Sequence, residues 1–322
     1  SGLSNIPFAI LLLNHTYLID QGNIALYTSL MHLQRQKKST PIAKEKWALA
    51  IADPIITDEK DEEILREKEL ASIKKTASLI RGIQLDQLAE LPETKREALA
   101  IIGDNSETST LLSRENAIKE NIMPKNLSQY EIVSFSTHGL MAGETENNYH
   151  PAILLSKSDK GSLLTTDDIL ELNGSPKIVL LAICNASNNY NNLKTSEINN
   201  VANAFLMKGS DAIISTYWAL NSDASVTIIK KALKYYNEGQ DLNSAFQKAA
   251  LKYKNSNPKS LPKDWGAFLV IGNSKKGITS KVKNYRDKGF IYDLAKINDR
   301  IYLLGKEKIS VTNKNLEIES FI

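Results

Sequence analysis

The chain has 322 residues, 42% hydrophobic and 24% charged, which is enough apolar material for a buried core and about two structural units. Forty Lys and Arg against 37 Asp and Glu leave a net charge of +3, too small to point to nucleic acid and too balanced for a polyelectrolyte tail. No run approaches the roughly 18 apolar residues that cross a bilayer. The single cysteine, Cys184, excludes an internal disulfide and a cysteine-rich zinc centre and points to a reducing cytoplasm.

Residues 8–13 form a continuous apolar run without a basic leader and read as a buried strand rather than a signal peptide. Strands are also predicted over 24–27 and 47–52. Residues 58–90 are dense in charge and read as an exposed insertion or surface helix. A helix is predicted over 92–102, with Pro92 in its first turn and Gly103 at its end. After a strand over 132–136, Thr165 and Asp168 form a capping-box pair ahead of Ile169 and Leu170.

A strand over 178–183 precedes a helix that Ser196 can cap. Its Ile198, Val201, Ala202 and Phe205 share one face, and Gly209 closes it. A strand over 212–218, helices over 224–236 and 242–253, and a strand over 267–271 follow. Beyond Asn273 a basic connector (Lys275, Lys276, Lys281, Lys283, Arg286, Lys288) leads into alternating residues 291–322, a β-rich appendage. Most predicted strands are apolar throughout, so both of their faces should be covered. That is the pattern of an α/β fold with a mostly parallel sheet between helical layers.

Two of these strands end in chemically useful residues. Cys184 follows the apolar residues 178–183 and precedes an Asn-rich stretch, and His138 follows residues 131–137 with Gly139 behind it. Open α/β sheets place their ligands at the carboxyl ends of strands. If the two strands are parallel neighbours, their ends lie about 5 Å apart. Residues 140–176 between them suffice for the helical crossover that a parallel connection requires. A thiol and an imidazole together can perform acyl transfer, and the N–H groups of Gly139 and Cys184 could hold the oxyanion.

Other readings find less support. His150 with Glu144 and Glu146 lacks a metal-ligand spacing, so neither a metal nor a cofactor is expected. His15 and His32 read as structural or surface residues. HExxH, P-loop, GxGxxG and GxSxG motifs are absent. The basic connector matches no known nucleic-acid module and reads as solvated surface, without direct nucleic-acid contact.

The ordered set Phe135-Ser136-Thr137-His138-Gly139, then residues 150–156 and 164–169, then Leu180-Leu181-Ala182-Ile183-Cys184-Asn185-Ala186-Ser187 continues into Ser215-Thr216-Tyr217-Trp218, Asp223 and residues 265–272. Over residues 6–273 the chain resembles the CHAT family, caspase-like cysteine peptidases of the fold group that also holds caspases, separase, gingipain and clostripain. The resemblance implies a caspase-like three-layer α/β/α fold around a mostly parallel central sheet. Residues 1–103, with the charged insertion 58–90, would be a degenerate half and residues 104–273 the active half, leaving 274–322 as connector and appendage.

It also implies that His138 and Cys184 are the catalytic dyad, with Gly139 and Cys184 supplying oxyanion donors. Thr216, Tyr217 and Trp218 would run beside the substrate backbone, and Trp218 would wall the cleft. Many relatives have a Cys-x-Thr-Gly turn, where this chain has Cys184-Asn185-Ala186-Ser187. Relatives that cut after Arg or Lys often keep an acid two positions before the cysteine, where this chain has Ala182. A neutral P1 residue is therefore expected, or an acid from elsewhere such as Asp223.

The expected partners are a protein or peptide substrate and a regulatory protein or sensor domain that gates the enzyme, with residues 185–194 ordering on activation and no membrane involved. The alternative is a caspase-like scaffold that binds proteins without cleaving them.

Overall fold

The structure, a computed structural model, describes residues 6–22, 24–28, 44–56, 88, 90–140, 150–185, 195–218, 222–272, 291–297, 300–305, 309–312 and 318–321. The apolar run at 8–13 is not one buried strand. It breaks into a 3-10 turn at Phe8–Ile10 and β1 (Leu12–Leu13), which pairs antiparallel with β2 (Thr16–Tyr17). Leu11, Leu12 and Leu13 are exposed. The cause is the pair Asn14 and His15, both left-handed at φ 51° and 64°, the conformation of a two-residue hairpin turn. The chain therefore reverses after Leu13 instead of entering the sheet.

The elements that follow are α1 (Leu18–Gln21), β3 (Ile24–Tyr27), β4 (Lys46–Ala52), α2 (Thr94–Ile102), β5 (Thr110–Ser113), α3 (Lys119–Ile122) and β6 (Tyr130–Leu140). Next come β7 (Ala152–Leu154), β8 (Leu163–Thr165), α4 (Thr166–Glu171), β9 (Ile178–Asn185), α5 (Thr195–Lys208) and β10 (Ala212–Thr216). Then follow α6 (Ser222–Asn237), α7 (Leu242–Ser256), α8 (Pro262–Trp265) and β11 (Phe268–Gly272). The last four strands are β12 (Ile291–Ile297), β13 (Arg300–Gly305), β14 (Ile309–Thr312) and β15 (Ile318–Phe321).

The centre of the sheet, β5-β4-β6-β9-β10, is parallel throughout. Counted in chain order, these strands stand 2-1-3-4-5. β11 adds antiparallel to β10, β3 parallel to β11, and β12 antiparallel to β3, with β13, β14 and β15 continuing as a meander. The carboxyl-terminal strands thus join the main sheet through β3. The basic residues 275–288 lie outside the described residues.

Helices cover both faces of the sheet. On one, Ile169 and Leu172 and the α5 residues Val201, Ala202 and Phe205 pack with Val133, Phe135, Val179, Leu181 and Ile213. Phe135 and Phe205 meet with ring centroids 5.8 Å apart. On the other, α2, α6 and α7 contribute Ala98, Ile101, Ile228, Ile229, Phe246 and Ala249 against Ala48, Ala50, Ile132, Leu180 and Ile214. Burying each large aliphatic chain contributes about 1.5–3 kcal/mol. These continuous apolar strands need two helical layers.

Local signals set most element ends. The Thr165–Asp168 capping box opens α4. Gly103 and Gly209 follow α2 and α5 at φ 54° and 114°, where a Cβ would be strained. α5 starts at Thr195, one residue ahead of the expected cap Ser196. β10 stops at Thr216 rather than 218, although the Tyr217 N–H still donates to the Ala267 carbonyl at 2.9 Å. Of the charged segment 58–90, only Leu88 and Glu90 are described. Leu88 is buried against Leu140 and Leu154, and Glu90 pairs with Arg114 at 2.8 Å.

At the amino ends of the parallel strands lies a buried polar network. Lys177 Nζ is 3.0 Å from Glu131 Oε1, their side chains 13% and 12% exposed, and the Tyr236 hydroxyl donates to the same oxygen. Burial first, then the Glu131 carboxylate, push the Tyr236 phenol far above its usual range. Asp211, also raised by burial, is held back by the charge of Lys177. The Lys177 backbone carbonyl also accepts from the Asp211 N–H at 2.8 Å.

Candidate active site

β6 is eleven residues long, and its pairing with β4 ends at Ala52–Ser136. Residues 137–140 run on past β4. They are held by β9 on one side, through Thr137–Ile183, His138–Cys184 and Gly139–Asn185, and by β7 on the other, through Gly139–Ile153 and Leu140–Ala152. The Thr137 hydroxyl adds a bond to the Leu154 carbonyl at 3.0 Å. His138 and Cys184 are thus register partners on adjacent parallel strands, whose backbones stand about 5 Å apart. His138 is buried, 8% exposed. Gly139 has its register partners on both sides, and a Cβ there would already touch Ile183 at 3.4 Å.

On the far side of β9, pairing with β10 ends at Leu181–Ser215 among the described residues. β9 runs on to Asn185 while β10 turns toward β11. Thr216 pairs with Phe268, the Tyr217 hydroxyl donates to the Ile6 carbonyl at 2.7 Å, and Trp218 Nε1 donates to the Lys263 carbonyl at 2.7 Å. The Tyr217 and Trp218 rings lie 5.8 Å apart. The two strands therefore part at their carboxyl ends, and Ala182 is half-exposed although it lies in the middle of the sheet. Residues 186–194, which contain most of the stretch expected to order on activation, lie outside the described residues.

The helices over this end bring Arg96 and Glu97, which the sequence reading did not assign to the site, beside the expected Asp223. Arg96 of α2 meets Asp223 of α6 at 2.7 Å in an exposed ion pair. One residue on, Glu97 accepts a hydrogen bond from the buried Ser225 hydroxyl. Ser136, the register partner of Ala182, also faces the Glu97 carboxyl. Burial is the main cause that raises the Glu97 pKa, with the Glu93 charge adding to it and the two hydroxyls opposing. Asp53 and Arg114, just past β4 and β5, are both left-handed at φ 50° and 54°. Asp53 is tied to Thr94 and to Arg114, so the strand ends beside β6 are braced. Contacts between α2 and α6 leave no trace in local sequence, because each joins residues more than a hundred positions apart.

A consequence for pH follows from Glu97. The folded chain holds this proton more tightly than the unfolded chain, so the group favours folding at acid pH and that contribution is lost as pH rises through the raised pKa. Glu97→Gln carries no titrating proton. The wild-type melting temperature should fall relative to the variant's from acid to neutral pH, and two parallel curves would contradict the assignment.

His150 is exposed, 3.8 Å from Asp167. Among the described residues, no group of three or more His, Cys, Asp or Glu is arranged to hold a metal ion, and no helix is long and apolar enough to cross a membrane.

The family model of the CHAT domain matches residues 1–273. No curated protein matches the chain. Among solved structures, separase in the Saccharomyces cerevisiae separase–securin complex aligns at 12% identity and TM-score 0.37, over 76% of this chain and 13% of that one. The chain thus spans a small part of that protein. The complex of Porphyromonas gingivalis RgpB pro- and mature domains aligns at 10% identity and TM-score 0.44, over 90% and 72%. The Arg-specific cysteine proteinase gingipain R (RgpB) aligns at 10% identity and TM-score 0.42, over 91% and 71%.

Proposed function

Because the chain belongs to the CHAT domain family, we propose that it is a cysteine endopeptidase of caspase-like fold that cleaves a protein partner in the reducing cytoplasm. The observation that carries this reading is the parallel register of His138 with Cys184 at the carboxyl ends of β6 and β9. The Cys184 thiolate attacks the scissile carbonyl carbon and forms the C–S bond. The His138 imidazolium gives its proton to the leaving amine as the C–N bond breaks, which leaves a thioester. His138 then takes a proton from water, the hydroxide displaces the Cys184 thiolate, and a free carboxylic acid leaves. N–H groups of Gly139 and Cys184 hold the oxyanion in both halves.

Residues 104–273 carry the reacting groups in this reading, and residues 1–103 support them. The substrate backbone lies beside Thr216, Tyr217 and Trp218, where β9 and β10 part. Activity is gated by a regulatory protein or sensor domain.

A peptidyl acyloxymethyl ketone tests the dyad. It should alkylate Cys184 in wild type and fail to do so in His138→Ala. Equal labelling of both proteins would remove His138 from the reaction. The side-chain pocket at P1 is read as neutral, since Ala182 brings no charge, Asp223 is paired with Arg96, and Glu97 is held toward its protonated form. In a P1 peptide library, neutral residues should lead. A strong preference for Arg or Lys would overturn the neutral pocket while leaving the dyad intact.

A further inference from the structure

We propose that the cavity between α7 and the β10–β11–β3 part of the sheet binds a small, uncharged aromatic carboxamide or lactam, and that its occupant acts on the residues after β10. The pocket spans about 510 Å³ of non-atom space, part of it open solvent on one side. No charged residue lines it, while Phe8, Tyr217, Phe246, Trp265 and Phe268 do. In this apolar setting sits Asn243, only 4% exposed, with neither its amide nitrogen nor its oxygen in a hydrogen bond.

Buried polar side-chain atoms almost always have partners, and leaving both ends of an amide unmade opposes folding. Asn243 shares one face of α7 with Phe246, Gln247 and Ala250, where an apolar residue would serve packing better. The neighbouring Gln247 Nε2 already donates to the Ile19 carbonyl at 2.7 Å. The free amide of Asn243 therefore points to a ligand.

The chemistry of the wall selects that ligand. A side-chain carboxamide offers a donor and an acceptor side by side, which a primary amide or lactam edge matches with two hydrogen bonds. The aromatic rings favour a flat, apolar body. A charged group would find no counter-charge in the wall and is disfavoured. An occupant also packs on Tyr217, which directly follows Thr216 and whose ring lies beside that of Trp218. This coupling to the substrate segment rests on the peptidase reading. The binding site does not.

Benzamide, toluene and benzoate, titrated into the full chain with calorimetric or ligand-observed NMR detection, test the site. Benzamide should bind at least about tenfold more tightly than benzoate or toluene. Asn243→Leu should fold with an equal or higher melting temperature, lose about tenfold for benzamide and gain for toluene. Asn243→Ala should lose benzamide in the same way and serves if the Leu variant misfolds. Absent benzamide binding, or equal binding in wild type and variants, overturns the site.

For the coupling, saturating benzamide should change the rate at which iodoacetamide labels Cys184 in wild type and leave it unchanged in the Asn243 variants. Binding without any change in labelling overturns the coupling and leaves the site standing. A chain that cleaves no peptide would defeat the peptidase reading, yet the titrations would still report on the pocket.

Discussion

Cys184→Ala is expected to lower kcat/KM on a cleaved peptide by about a millionfold, because no other group on β9 can form the covalent intermediate. His138→Ala is expected to cost about a hundredfold to ten-thousandfold, the range of a lost proton-transfer group. The two residues act as one unit, so the double variant should be no slower than Cys184→Ala alone. Melting temperatures of all three should stay near wild type, since neither residue is a large apolar part of the core. Steady-state assays beside thermal melts check this. A Cys184→Ala protein that cuts as fast as wild type would end the peptidase reading. If wild type and variants leave every candidate partner whole, the scaffold alternative takes its place.

Lys177→Met should have the largest effect on folding. It removes the cation beside Glu131 and leaves a carboxylate 12% exposed, with the Tyr236 hydroxyl as its remaining side-chain partner and Asp211 nearby. Breaking one side of such a buried pair costs about 3–5 kcal/mol. For a chain of this size that lowers the melting temperature by roughly 10 °C. Adding Glu131→Leu should recover most of the loss, because the stranded charge goes with it. In that double variant the Tyr236 phenol should also titrate at lower pH than in wild type, since one cause of its elevation is gone. A single variant as stable as wild type would show that the pair contributes nothing net. The network sits at the amino ends of the strands and the His138–Cys184 register pair at the carboxyl ends, so the two experiments report on different properties.

The positions of His138 and Cys184 could be read from residue order because each ends a predicted buried strand, and such strands become the central parallel ones. Their adjacency could not be read, since strand order depends on crossovers and not on local pattern. The run at 8–13 misled because its hydrophobicity outweighed the turn signal of Asn14 and His15. Arg96–Asp223 and Glu97–Ser225 were invisible because helices far apart in the chain bring them together. Asn243 passed unnoticed since a polar residue near a helix start normally faces water. The meander after residue 290 was visible as alternation, but its attachment to β3 depends on a strand at the other end of the chain.

That attachment bears on how the molecule is made. β3 leaves the ribosome well before its two neighbours, β11, beginning at Phe268, and β12, beginning at Ile291. Its backbone donors and acceptors on both sides must wait until those two strands emerge. Pairing between such distant segments closes slowly and exposes a sticky strand meanwhile. Pausing the ribosome before β11 should therefore leave β3 open to proteases.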